Sequence, residues 1–408
     1  MVRRRLKTSS QLPAKSELKQ SGSSLSSSQP FGIWCLHLPA VLAITTLCIT
    51  SFIFMKNFVG FEVQWNHTIT NEKRSQDYAG QDEILEETHR QLKGVTEDGA
   101  RFEFQRQENF KACSGRESGS CGKVDKRQKL SLQEFHDVYD GKWPVIVTDV
   151  MSTWPAMNWT ADFFKKQYGR SRVTMTTYAN SEKSGFSVPL EIFLDHLHMS
   201  TPRTWTYLQD ELFLIQNPKL RAHILQPIYV EEDFFQLLPA SVRPWDCMLL
   251  WGTAHSRSSL HIDPYNWTGT NAVISGLKRW KLLPPGQDKL LSVTPGRRCG
   301  FPLECVKYNS ELDLFDPDQA HSLSKIKYLE VDQGPGEMLF IPPGWFHQAN
   351  NAVPTLAVAG QLMNSNNFQT VLEEMFKGGS LERSSLPNNI DNMAPEDVVR
   401  SVEITLVE

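Results

Sequence analysis

The sequence has no surplus of charge of either sign: 42 basic residues face 46 acidic ones over 408 positions, a formal net charge of −4. A surface built to hold polyphosphate needs a basic excess, so nucleic acid is not an expected partner. Cysteine is scarce, with seven in the chain, and no pair has the C-x₂₋₄-C spacing of zinc modules. No internal repeat is visible, which excludes solenoids and propellers. With 40% hydrophobic and 22% charged residues, the chain is not a collagen, a coiled coil or a wholly disordered protein.

Charge is missing altogether from one stretch. Residues 31–55 contain no Asp, Glu, Lys or Arg, and a helix of that length crosses about 30 Å of hydrocarbon. Arg3, Arg4, Arg5, Lys7, Lys15 and Lys19 precede it against the single acid Glu17, so residues 1–30 carry +5 and residues 56–408 carry −9. The positive-inside bias keeps the tail cytosolic and translocates the rest, as a single-pass type II membrane protein of the endoplasmic reticulum or Golgi. A cleaved signal peptide is the competing reading, but its apolar core would be shorter and nearer the start. If the body is lumenal, Asn66, Asn158 and Asn266 head glycosylation tripeptides, with Asn266 the least suited because it should lie on a rim loop. The short intervals Cys113 to Cys121 and Cys299 to Cys305 suggest local disulfides, and Cys247, inside an apolar run, reads as a buried thiol.

Five segments follow: a disordered cytosolic tail at 1–30, a transmembrane signal anchor at 31–55, a polar lumenal stem at 56–125, a folded domain at 126–375 and a weakly ordered C-terminal tail at 376–408. Ser131-Leu-Gln-Glu134 is a capping box that opens a helix carrying Leu132, Phe135 and Tyr139, stopped by Gly141. Thr160 caps a second helix with Phe163, Phe164 and Tyr168, ended by Gly169. A further amphipathic helix led by Ser187 precedes His196 and His198, which read as a solvated face. Beyond residue 245 short β-type runs alternate with Pro and Gly: 247–251, 271–275, 277–283, 328–331, 338–341 and 355–358. Many short strands after helices predict an antiparallel barrel or sandwich. Trp245, Trp251, Trp280 and Trp345 read as core residues rather than a substrate platform.

Two motifs carry chemistry. In His261-Ile-Asp263, residues i and i+2 of a strand project from one face, so an imidazole and a carboxylate can bind one metal; taken alone, a solvated surface pair is the better explanation. In Gly336-Glu-Met-Leu-Phe-Ile-Pro-Pro-Gly-Trp-Phe-His347 a strand enters a Pro-Gly turn and delivers a second imidazole. Together they form two histidines and one carboxylate on one face of a metal, the arrangement of non-haem Fe(II) oxygenases. Lys278 shares a strand face with Trp280 and Leu282 and either points inward with them or stays exposed at the Ser275-Gly276 hairpin. Asn271 by itself reads as an ordinary strand-end residue. His255 falls in a loop and is a weak candidate ligand.

These stretches, with Asn271-Ala-Val-Ile-Ser-Gly-Leu-Lys278-Arg-Trp280, resemble the core motifs of the JmjC (jumonji) oxygenases over about residues 126–375, and most of all the lysyl-hydroxylase/arginine-demethylase branch. The resemblance implies a double-stranded β-helix, the cupin-like jelly roll, mainly β with N-terminal helices and preceded here by one transmembrane helix. It implies Fe(II) on His261, Asp263 and His347, and 2-oxoglutarate on Lys278 assisted by Ser258 and Asn271. One departure stands out: where the branch has a second Thr after the last His, this chain has Ala359 and lacks that hydroxyl. The expected function is a dioxygenase that hydroxylates a side chain of a secretory-pathway protein. The alternatives are an inactive jelly-roll module binding a lumenal protein or glycan, and a zinc hydrolase, in which Lys278 would have no evident task.

Overall fold

The computed structural model describes residues 119–402, apart from Asn180, 298–305, Ala320, Ser322, Ser380 and Asn388. The expected tail, anchor and sequon Asn66 lie outside them. All described residues belong to one compact unit, Phe102–Glu408.

Among the described residues, sixteen strands build it. In chain order they are β1 Gly119–Lys123, β2 Asp125–Arg127, β3 Val145–Val147, β4 Arg172–Ala179, β5 Glu182–Pro189, β6 Thr204–Asp210, β7 Met248–Gly252, β8 Leu260–His261, β9 Thr268–Ser275, β10 Lys278–Leu283, β11 Val293–Arg297, β12 Val306–Ser310, β13 Lys327–Gln333, β14 Met338–Ile341, β15 Phe346–Asn351 and β16 Thr355–Leu362. They form a seven-stranded sheet in the order β1-β13-β10-β15-β8-β12-β11 and a nine-stranded sheet in the order β2-β3-β14-β9-β16-β7-β6-β4-β5. From β7 onward most neighbours are distant in sequence and antiparallel, the crossing pattern of a jelly roll. The expected mainly β fold and all six expected runs are present.

Period-two alternation explains the packing. On β9, Ala272 and Ile274 face outward into a cluster with Phe135, Trp251, Phe340, Leu356 and Val358, while Val273 faces the opposite way with Trp205, Tyr207, Leu250 and Ala357. Between the sheets, Leu339 and Ile341 meet Trp280, Leu282, Leu329 and Val331. The four tryptophans expected in the core are all buried.

Among the described residues, four helices of six residues or more decorate the sheets: α1 Ala161–Tyr168, α2 Leu190–Asp195, α3 Phe368–Gly378 and α4 Pro395–Arg400. Thr160 caps α1 by accepting from Phe163 N–H at 3.1 Å. Ser131 Oγ likewise accepts from Glu134 N–H at 3.1 Å, although the helix it opens becomes a π-helix over Phe135–Tyr139. Three expectations are corrected. The fold begins before residue 126, since β1 pairs in parallel with β13. Ser187 lies on β5 opposite Thr174, and α2 starts only after Pro189, because proline suits the entry to a helix and ends the strand. The weakly ordered tail expected from residue 376 instead carries α4, whose Val398 and Val399 are buried with Phe234, Trp267 and Leu372.

Among the described residues no helix is long and apolar enough to cross a membrane. Cys247 is a free, buried thiol, and burial pushes its pKa up to about 12. Cys121 is disulfide-bonded; Cys113, Cys299 and Cys305 lie outside the described residues.

Candidate metal centre

β8 is only two residues long, yet it places His261 directly opposite His347 of β15. The two imidazole centroids are 4.4 Å apart. Asp263 follows β8 at the entrance to a short helical turn, with its Oδ1 3.7 Å from His261 Nε2 and 3.6 Å from His347 Nε2. One ligand atom from each residue falls within 4.8 Å of the others, a spread that a single ion spans. The structure thus brings together the three ligands expected from sequence.

The outer nitrogens fix which atoms face inward. His261 Nδ1 is 2.8 Å from the Ser259 carbonyl and His347 Nδ1 is 3.0 Å from the Trp345 carbonyl. A carbonyl only accepts, so each Nδ1 carries the proton and donates it, which leaves Nε2 as the ligand atom. Burial raises the Asp263 pKa, but the two neighbouring imidazoles, His347 foremost, outweigh it and hold the carboxyl well below the usual carboxylate range. Gly269 completes the cradle: a Cβ there would overlap Asp263 Oδ2. Two imidazole nitrogens and one carboxylate oxygen, with no thiolate, suit Fe(II).

Lys278 points inward. It is 1% exposed, and its Nζ donates to Tyr207 Oη and to Asn271 Oδ1, each at 3.3 Å. Among the described residues no carboxylate stands within ion-pairing distance, and burial lowers its pKa to about 7. A buried ammonium with neutral partners calls for an anion, and a dicarboxylate such as 2-oxoglutarate would supply one. Tyr207 was not foreseen. Burial drives its phenol pKa well above the ordinary value, so it stays a neutral hydroxyl. It arrives on β6 from 71 positions before Lys278, and no local motif marks it.

The other expected residues divide. Asn271 touches Lys278 as expected. The Ser258 hydroxyl accepts from Ala349 N–H at 3.0 Å, and no hydrogen bond among the described residues links it to Lys278. Ala359 pairs with Asn271 across β16 and β9, so the position that lacks a hydroxyl does lie beside the pocket. Two residues on, Gln361 pairs with Gly269 and shares its face; its Oε1 is buried without a hydrogen-bond partner.

Residues 131–367 match the cupin-like domain family. The chain belongs to this family. The chain is similar to several curated proteins, among them the following three. A lysine-specific demethylase of Arabidopsis thaliana, JMJ21, is 29% identical over 269 residues, covering 63% of this chain and 27% of that protein. The bifunctional arginine demethylase and lysyl-hydroxylase psr-1 of Caenorhabditis elegans is 27% identical over 258 residues, covering 61% and 63%. The human 2-oxoglutarate and iron-dependent oxygenase JMJD4 is 26% identical over 172 residues, covering 41% and 39%. The chain therefore spans less than two thirds of each relative. The cupin-like family, these relatives and the donor set agree on Fe(II) and 2-oxoglutarate as the cofactors, and the His-Asp-His group that would hold the metal is intact.

Proposed function

We propose that the chain is a membrane-anchored Fe(II)- and 2-oxoglutarate-dependent dioxygenase that hydroxylates a side chain of a secretory-pathway protein. One observation carries the enzymatic part: a complete His261, Asp263 and His347 set shares a barrel interior with a buried ammonium that has no carboxylate partner among the described residues. Iron and 2-oxoglutarate, when bound, supply the oxidation of a C–H bond by dioxygen, with succinate and carbon dioxide as coproducts. The chain's own residues orient and exclude. His261, Asp263 and His347 would hold the metal, Lys278, Tyr207 and Asn271 would hold the far carboxylate, and Trp280, with its ring centroid 6.0 Å from that of His347, keeps water from that wall. Gln361 would offer an acceptor to a substrate N–H beside Asp263.

A protein substrate is supported by the name of psr-1, which describes a demethylase and lysyl-hydroxylase. The secretory compartment is supported by the charge-free stretch 31–55 and the +5 segment before it, and a lumenal domain would not meet chromatin. The inactive-module reading rests on Ala359 alone, and Tyr207 supplies a hydroxyl at Lys278 without it.

The test is conversion of 2-oxoglutarate to succinate by the full chain, purified in detergent with Fe(II) and ascorbate, beside His261→Ala. Turnover should fall to background in the variant, and equal turnover in the two proteins would sink the catalytic reading. Mass spectrometry of lumenal proteins with and without the enzyme, seeking additions of one oxygen, would then identify the substrate.

A further inference from the structure

We propose that Asn266 is a positioning residue of the metal centre, tying the loop that carries Asp263 to the turn that delivers His347. The inference rests on the reading of His261, Asp263 and His347 as metal ligands.

Just after Asp263 the backbone passes through two consecutive left-handed positions, Tyr265 at φ 50° and Asn266 at φ 55°. Residues with a Cβ rarely adopt that region, and asparagine tolerates it better than most. Such backbone persists only where its surroundings impose it. Three contacts do so here. The Tyr265 side chain is buried in the cluster of Phe235, Trp267 and Met363. Asn266 N–H donates to the Asp263 carbonyl at 3.0 Å. Asn266 Oδ1 accepts from Gly344 N–H.

The last contact matters most, because Gly344 belongs to the other arm of the site. It sits at φ 76° in the turn between β14 and β15, and its neighbour Trp345 offers the carbonyl that receives His347 Nδ1–H at 3.0 Å. A continuous path of hydrogen bonds and chain therefore runs from Asp263 through Asn266 and Gly344 to His347. Sequence reasoning reads Asn266-Trp-Thr268 as a glycan acceptor, but both polar ends are used internally: Asn266 is 9% exposed, and Thr268 Oγ1 accepts from Asn367 Nδ2 at 2.9 Å. The tripeptide serves the loop rather than a sugar.

The test reads metal binding without turnover. The full chain, stripped of metal, is titrated with Mn(II), alongside His261→Ala, Asn266→Gly and Asn266→Asp. Glycine keeps the left-handed backbone easy and deletes the acceptor, whereas aspartate restores an acceptor. The Asn266→Gly protein should bind Mn(II) roughly tenfold more weakly or worse, the loss typical of a partner one shell behind the ligands. Its metal-free thermal midpoint should match wild type, and Asn266→Asp should regain most of the affinity. Wild-type affinity in Asn266→Gly overturns the proposal, as does a loss that follows the metal-free midpoint and is not regained by aspartate. A wild-type chain that binds no more Mn(II) than His261→Ala overturns the metal reading itself, and is told apart from the other failures by that comparison.

Discussion

Lys278 shows how a single residue can be legible in type and silent in detail. Its place on a strand with Trp280 and Leu282 marks a face, but only the folded barrel shows that the ammonium meets a phenol and an amide instead of an acid. That environment has a pH consequence. The Lys278 pKa is lowered to about 7 by burial, below its unfolded value, so the ammonium is lost as pH rises through that value. Binding of a dicarboxylate needs the ammonium, so 2-oxoglutarate affinity should be flat below about pH 7 and weaken by up to about tenfold per unit above it. Calorimetric titration of the Mn(II)-loaded protein across that range checks this. Lys278→Arg, which cannot lose its charge there, should remove the dependence even if its larger head weakens binding throughout. Tyr207, by contrast, could not have been found by motif, because its strand meets the pocket only through tertiary pairing.

At the scale of elements, the barrel strands were readable because each is a short apolar run between Pro and Gly, and burial on both faces demands that composition. The hairpin of β4 and β5 was not. Its second strand, Glu182–Pro189, is exposed over most of its length, so no alternation appears and Ser187 before Pro189 imitates a helix start. Ligand spacing was legible for the same reason as the strands: His261 and Asp263 are close in sequence, and the Pro343-Gly344 turn announces His347. The cradle around them was not, since Gly269 looks like any strand glycine. Gly269→Ala would push a methyl group into Asp263 Oδ2, and we expect metal affinity to fall by at least about tenfold. Mn(II) titration and the thermal midpoint of the metal-free protein would separate a displaced ligand from general unfolding.

At the scale of the whole molecule, two predictions concern the ends of the chain. Truncation at residue 376 would remove α4 and uncover Phe234, Trp267 and Leu372, and the product should aggregate or expose sites to limited proteolysis that the full chain protects. Val398→Ala together with Val399→Ala should lower stability by about 3 kcal/mol, from about four buried methyl groups at about 0.8 kcal/mol each, which chemical denaturation would measure. Topology is tested separately. If the domain is lumenal, microsomes should protect residues beyond 56 from added protease. Enzymatic deglycosylation should then shift the wild-type band, Asn158→Gln should reduce that shift because Asn158 is exposed, and Asn266→Gln should leave it unchanged.

The single rung between β8 and β15 has a consequence for how the protein is kept. His261 and His347 are the one residue pair that β8 and β15 share, and the segment before β8 continues along β15 through Arg257 opposite Asn350 and through Ser258 N–H, which donates to the Ala349 carbonyl at 3.1 Å. An ion bound there joins two distant parts of the chain as a crosslink would. Metal at about a hundredfold over its dissociation constant would add roughly 2.7 kcal/mol to stability. Metal binding would thereby bear on the stability of the folded domain as well as on its chemistry.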